Sequence, residues 1–83
     1  MQISSHELTL YNGQQILAEI QAALKNGDYT LDFKHVKRTD SVVLALLLAA
    51  RRHLDNLSVL KIVNPPPQLD ALIQAYGVQS LFN

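Results

Sequence analysis

Residues 34–52, KHVKRTDSVVLALLLAARR, decide the fold of this chain, because they join a basic loop to an unbroken apolar segment. The apolar segment Val42–Ala50 follows three short polar residues whose side chains can accept a backbone N–H, as residues at helix starts do: Thr39, Asp40 and Ser41. Nine apolar residues leave a helix without a polar face, yet they are far fewer than the ~20 that cross a bilayer. The stretch therefore predicts a buried helix over Asp40–Leu54 with an exposed polar start.

Length and composition limit what the rest of the chain can be. The 83 residues have room for one domain, residues 1–83, and a hydrophobic content of 48% is enough for a core. A formal net charge of zero gives no support for binding to nucleic acid or to an anionic membrane. The first residues lack the pattern of a signal peptide, and no cysteine is present. We expect a cytoplasmic protein that does not insert directly into the membrane.

The first third of the chain predicts a strand and a helix. In Met1–Tyr11, Leu8 and Leu10 would share one face of extended structure, with a period of two. An apolar stripe with helical spacing then predicts an amphipathic helix over Gln14–Lys25. Asn26 and Gly27 supply the residue that commonly ends such a helix.

Alternating side chains predict further strands at Tyr29–Phe33 and Ser58–Val63. Proline is common at a helix's first position, so the proline triplet indicates a helix over Pro66–Tyr76 rather than a polyproline ligand, and Gly77 is placed to end that helix. Val78–Phe82 would close the chain as a short strand or one more helical turn. A helix between two strands favours a right-handed βαβ unit. The expected fold is α/β, a mixed and partly parallel sheet with helices packed against it.

The sequence offers no convincing catalytic or metal site. His6, His35 and His53 are scattered and lack metal-ligand spacing. Asp32 and Asp40 could form a carboxylate pair, but Asp32 lies in a predicted strand and a solvated role is favoured. No nucleophile elbow and no Gly-rich phosphate loop is present. We expect no catalytic residue, no metal and no cofactor, and therefore no enzyme.

Two features of the central stretch indicate binding, each with a plainer interpretation. The basic residues Lys34, Lys37 and Arg38 precede a helix N-terminus and could favour an acidic partner or a phosphate, or they could form a solvated loop. Ser41 could meet a partner, or its hydroxyl could only cap the helix. The residues alone leave both alternatives open.

The strand-loop-helix that runs from Leu31 to Leu44 resembles the signature of the STAS domain family. In that signature a strand ends in Asp-Leu, and a loop leads to Asp-Ser/Thr-x-Gly-Leu; Asp40, Ser41 and Leu44 match it position by position. Val43 stands where a glycine is usual, and Val42 is bulkier than the usual residue. Because glycine lets another backbone come close, two valines imply shape-specific apolar contact instead. The resemblance covers nearly the whole chain and implies a single small STAS-like domain.

Two branches of this family imply different partners. The small cytoplasmic subunits of Mla-type ABC phospholipid transporters bind the ATPase subunit of a permease complex and lie at the inner membrane through it. Residues 44–48 and the tail from Leu72 to Val78, with Leu81, are similar to that branch. Anti-sigma-factor antagonists are the alternative, in which a partner anti-sigma kinase phosphorylates the serine that matches Ser41. The resemblance implies the same partner-binding surface in both, formed by Arg38, Thr39, Asp40, Ser41, Val42 and Val43.

Overall fold

The computed structural model describes residues 1–52 and 60–82. Strands are interspersed with helices through these residues, as the α/β prediction requires. Their order is β1 (Glu7–Leu8), α1 (Gly13–Lys25), β2 (Thr30–Asp32), β3 (Arg38–Thr39), α2 (Val42–Arg51), β4 (Lys61–Val63), α3 (Pro67–Ala75) and a 3₁₀ turn (Gln79–Leu81).

The strands form two parallel pairs. β2 lies beside β4, with Leu31 opposite Ile62, and β1 lies beside β3, with Leu8 opposite Thr39. An isolated parallel bridge joins Gln2 to Asp32 on β2. Parallel neighbours need long crossover connections, which α1 and α2 supply here. The α/β class is confirmed, and the strand pairings described are parallel pairs rather than one mixed sheet.

Helix α2 is the central helix, as its unbroken apolar sequence predicts. It packs against α1 and against α3. Half of its residues are buried: Val43, Leu44, Leu46, Leu47 and Ala50. The helix begins at Val42, two residues later than predicted, and Leu54 at its predicted end lies outside the described residues, as do His53 and the first part of the predicted strand Ser58–Val63.

The ends of α1 and α3 confirm what the glycines predict. After α1, Gly27 has a φ of 83°, its N–H donates to Leu24 O, and the N–H of Asp28 reaches back to Ala23 O. After α3, Gly77 has a φ of 65°. As after α1, the N–H of the glycine donates to the carbonyl three residues earlier, and the N–H of the next residue donates to the carbonyl five residues earlier. A left-handed residue with these two bonds is the Schellman helix ending, which glycine adopts without steric cost. Local sequence therefore determines where both helices end.

The predicted strand around Leu8 is wrong beyond that residue. Leu8 is fully buried, but Leu10 is 71% exposed, whereas Thr9 is only 6% exposed. The chain turns after Leu8, because the N–H of Asn12 donates to Thr9 O, and the Asn12 side chain accepts from the N–H of Thr9. The turn rotates Leu10 away from the face that Leu8 occupies. Alternation from Leu8 to Leu10 predicted the opposite.

One other segment differs from the sequence-based expectation, and two agree with it. Arg38 and Thr39, predicted as part of a basic loop, form β3 and pair with β1. The closing segment forms the 3₁₀ turn, after which Phe82 bridges to Leu60. Pro67 occupies the start of α3 and Pro66 precedes it in extended conformation, so the helix-start interpretation of the prolines is confirmed.

Candidate partner-binding site at the start of helix α2

Asp40 is the residue that builds the start of α2. One carboxylate oxygen, Oδ1, accepts a hydrogen bond of 3.0 Å from the N–H of Val42, the first residue of the helix. The other, Oδ2, accepts one of 3.1 Å from the N–H of Leu10 in the turn after β1. A charged acceptor makes stronger hydrogen bonds than a neutral one, and negative charge suits a helix N-terminus. Asp40 therefore joins the helix start and the Leu10 turn into one surface.

Ser41 does not use its hydroxyl to cap the helix. It occupies the N-cap position, but its backbone is helical, with φ −65° and ψ −15°, and its side chain makes no capping bond. An N-cap side chain accepts a helix N–H from a non-helical backbone, so this conformation leaves the role to the Asp40 carboxylate. The capping interpretation of Ser41 is wrong. Its hydroxyl is exposed on the surface.

Helix α3 holds the residue before Asp40. Gln68 Oε1 accepts hydrogen bonds from the N–H of Thr39 at 3.2 Å and from the Thr39 hydroxyl at 3.1 Å. Thr39 is only 8% exposed, so these bonds satisfy polar groups that water reaches poorly. We call Asp40 and Ser41 the α2 tip. It is attached to the Leu10 turn on one side and to α3 on the other.

The six residues of the predicted surface divide into exposed and buried ones. Arg38, Asp40 and Ser41 are exposed, and Val42 is half-buried. Val43 is fully buried and Thr39 nearly so. The expected apolar contact through Val43 is therefore corrected: it packs into the core and supports the tip from beneath. Val42 is the member of the pair that can offer apolar surface.

Hollows lie on each side of the α2 tip. Between α1 and α2 a groove of about 170 Å³ is lined almost wholly by apolar groups: Leu10, Gly13, Gln14, Leu17, Val42, Ala45 and Leu46. Between the tip and α3 a wider hollow of about 430 Å³ is lined by Thr39, Asp40, Ser41, Gln68, Ala71, Leu72 and Ala75. We call them the α1-side groove and the α3-side groove. The tip is the ridge between these two grooves, and Asp40 also borders a third, more polar hollow that Arg38 and Glu7 line.

Asp32 and Asp40 have no hydrogen-bond partner in common among the described residues, so no such bond links them as a catalytic pair. Asp32 Oδ1 accepts from the Asn64 side chain at 3.1 Å and from the N–H of Lys34 at 2.9 Å, while Asp40 binds Val42 and Leu10. The Asn64 amide, with the Lys34 N–H second, lowers the pKa of Asp32 below its usual value, against a raising effect of partial burial. Asp32 thus links the end of β2 to the end of β4 through its hydrogen bond with Asn64.

The other polar candidates remain dispersed. Within residues 1–52 and 60–82, no cluster of three potential metal-ligating side chains occurs. Lys34, Lys37 and Arg38 are exposed, but Arg38 belongs to β3, where it stands opposite Glu7. The basic residues are thus divided between a loop and a strand. They do not line either groove beside the tip.

The sequence alone did not identify the residues that hold the α2 tip in place, Leu10 and Gln68. Leu10 was expected in a strand, and Gln68 was placed on a helix without a role. Neither lies within 25 positions of the tip in the chain, since their bonds to Asp40 and Thr39 span 30 and 29 residues. No periodicity in the sequence signals such contacts. Only the folded chain brings them together.

Comparison with known proteins agrees with the STAS signature. The chain matches the family model described as "Mlab, STAS domain" over residues 5–83. No curated protein matches the chain significantly, and no solved structure does. The match includes the α2 tip and every helix and strand of the fold.

Proposed function

Because this chain belongs to the STAS domain family, we propose that it is the accessory subunit of an ABC transporter that moves phospholipid between the inner and outer membranes. An accessory or regulatory role is general in the family, whose domains are typically non-catalytic. The proposed subunit is cytoplasmic and binds the ATPase, which holds it at the inner membrane within the permease complex. Among the helices of the described residues, none combines the length and hydropathy needed to span a bilayer.

The α2 tip is the proposed docking site, and its hydrogen bonding is the observation that carries this proposal. Ser41 is exposed and its hydroxyl makes no capping bond, so it can exchange water for a partner at little desolvation cost. The backbone beneath it is held by Asp40 and by the bonds of Thr39 to Gln68. A partner that meets a fixed surface loses less conformational entropy than one that must order a loop.

The size of the expected effect depends on the substitution at Ser41. Ser41→Ala removes one hydrogen-bonding group, which is worth about 1 kcal/mol, so docking should weaken modestly. Ser41→Arg places a long charged side chain where the partner must approach, so its bulk obstructs the contact and its charge loses water on docking. We therefore expect Ser41→Arg to abolish stable docking. Neither substitution should unfold the domain, because the position is exposed.

The experiment is co-purification of the tagged chain with the ABC ATPase of the same organism's phospholipid transporter. Ser80→Arg is the matched control, since Ser80 is also an exposed serine. It lies in the 3₁₀ turn, where Leu81 O accepts a bond from Arg51 at the opposite end of α2, roughly 15 Å from the tip along a ten-residue helix. We expect wild type and Ser80→Arg to retain the ATPase and Ser41→Arg to lose it, with unchanged melting of the free domain. Retention by Ser41→Arg would show that the tip is not the docking site.

One observation also supports a second function, that of an anti-sigma-factor antagonist switched by phosphorylation of Ser41. Ser41 is exposed, and Val43, which stands where the family usually has a glycine, is buried in the core rather than exposed beside it. An added phosphate would place about two negative charges beside the Asp40 carboxylate, enough to alter docking. Intact-mass spectra of the protein from native cells, with affinity capture of partners, decide between the functions. Unphosphorylated Ser41 with a bound ABC ATPase supports the transporter; phosphoserine with a bound anti-sigma kinase supports the switch.

A further inference from the structure

We propose that the docking surface extends from the α2 tip across the α1-side groove, and that this groove receives one large uncharged side chain of the ABC ATPase. The inference rests on the proposed function and adds a second contact to it. It assigns Leu10, Val42 and Ala45 to the interface, of which only Val42 belongs to the surface implied by the family signature.

The dimensions of the groove suit one side chain. Its volume is about 170 Å³. A cavity of about 150 Å³ is large enough to hold benzene, whereas pockets for small-molecule ligands usually measure about 300–1,000 Å³. A phenylalanine, leucine or methionine side chain therefore fits, and a cofactor does not.

The chemistry of the groove selects an uncharged group. Its lining carries no charged side chain, and Gln14 is the one polar residue in it. A charge placed there would lose water without gaining a counter-charge. Gly13 opens the floor of the groove, since it adds no side chain where α1 approaches Val42 and Leu46. The groove therefore offers apolar contact and shape, and nothing that would recognise an anion or a cation.

Leu10 at the groove's rim is exposed and held in position. Its side chain is 71% exposed, and Tyr11 beside it is 94% exposed. The turn that carries them is closed by the bond from Asn12 N–H to Thr9 O and by the Asn12 side chain. Exposed apolar residues are informative where they join a larger apolar surface rather than standing alone. Here Leu10 continues the lining of the groove.

The groove and the α2 tip are one continuous surface, which identifies the occupant. Val42 lines the groove and directly follows Ser41. The same Asp40 carboxylate binds the N–H of Val42 and the N–H of Leu10, so the tip and the rim are fixed together. A standard interface covers ~800 Å² of each partner. This molecule measures 29 × 26 × 19 Å, so such an interface covers about the whole of one of its faces. A protein seated on Ser41 therefore also covers the groove.

The test is to fill the groove while leaving the tip intact. Ala45 is exposed and lines the groove, so Ala45→Phe places a ring in it without burying new polar atoms. Ala22→Phe is the matched control, an exposed alanine on α1 that does not line the groove. Leu10→Ser is the second variant and removes apolar surface from a mostly exposed position. For each variant we would measure the dissociation constant with the purified ABC ATPase and the melting temperature of the free domain.

We expect Ala45→Phe and Leu10→Ser each to weaken ATPase binding about tenfold or more, and Ala22→Phe to bind as wild type does. Wild-type binding by both Ala45→Phe and Leu10→Ser, with loss in Ser41→Arg, would overturn the groove inference and leave the proposed function standing. Failure of the wild-type chain to bind the ATPase would overturn both. If sedimentation shows a wild-type dimer that Leu10→Ser converts to a monomer, the occupant is a second copy of this chain and the inference is overturned.

Discussion

Asp32 and Asp40 stand at the ends of neighbouring strands in the chain and perform the same local task with different long-range partners. Each accepts a hydrogen bond from the backbone N–H two residues further on, Lys34 and Val42 respectively. Asp32 also accepts from the Asn64 side chain and joins the ends of β2 and β4, whereas Asp40 accepts from the N–H of Leu10. The Asp32 region is therefore a joint between strands. The Asp40 region is an exposed surface that hydrogen bonds hold in place. It carries the Ser41 hydroxyl and has a groove on each side.

The difference shows that a local motif does not determine a site's role. An aspartate that closes a turn is common, because its short side chain reaches nearby N–H groups. What distinguishes Asp40 is its surroundings: the exposed Ser41 beside it, the apolar groove next to Val42, and α2 beneath it. Substitutions can separate these contributions.

Leu46→Asp should have the largest effect, because it removes the packed helix on which the Asp40 region stands. Leu46 is only 7% exposed, and an unpaired carboxylate at its position would be buried at a cost of several kcal/mol, enough to unfold a marginally stable small domain. Ala45→Asp is the control, since the adjacent residue is exposed. Circular dichroism melts should show a folded control and an unfolded Leu46→Asp. A cooperative melt for Leu46→Asp would mean that α2 is not central.

Gln68→Ala should have the second-largest effect, because it removes the hydrogen bonds that attach the tip to α3. It leaves the N–H and hydroxyl of the nearly buried Thr39 without their acceptor, which should cost about 1–2 kcal/mol. Gln74→Ala on the same helix removes only an exposed contact with Asp70 and should cost less than about 0.5 kcal/mol. Urea unfolding of both variants provides the measurement. Equal stability of the two would refute a mounting role for Gln68.

Asp40→Ala and Asp32→Ala compare the two carboxylates directly. Loss of the Asp40 acceptor from the helix start should cost about 1 kcal/mol and, in addition, weaken ATPase binding by releasing the Leu10 turn. Asp32→Ala should lower the melting temperature slightly and leave binding unchanged, since its partners lie in the strand joint. Calorimetry of folding and of ATPase binding for both variants tests this. An equal loss of binding in both would remove the proposed distinction between the regions.

The smallest expected effect is the pH dependence that Asp32 contributes. Because the pKa of Asp32 is lowered in the folded chain, chiefly by the Asn64 amide, ionised Asp32 favours the folded state. This stability is present above the unfolded-state pKa of about 3.9 and is lost as pH falls through the lowered folded-state pKa. Asn64→Gly removes the amide while accommodating the positive φ of 53° at that position. The variant's melting temperature should fall less than that of wild type on acidification from neutral pH; an identical decline would exclude this contribution.

The sequence by itself determined the features that depend on neighbours along the chain. The apolar segment after Ser41 identified the central helix, Gly27 and Gly77 identified two helix ends, and alternation identified Leu31 in β2 and Phe33 directly after it as buried residues. The STAS signature around Asp40 likewise lies within one short segment. These predictions succeed because helix periodicity, strand alternation and a positive φ depend on local backbone geometry and on which side chains can be buried.

Only the tertiary structure decided how the α2 tip is mounted and what surrounds it. The two-residue strands β1 and β3 are too short to show a period, so the pairing of Leu8 with Thr39 could not be predicted from the alternation of side chains. The exposure of Leu10, the burial of Val43 and the bonds of Gln68 to Thr39 depend on which distant segments meet. A hydrogen bond between residues some thirty positions apart leaves no trace in local sequence, since its energy is realised only after the elements between them have packed.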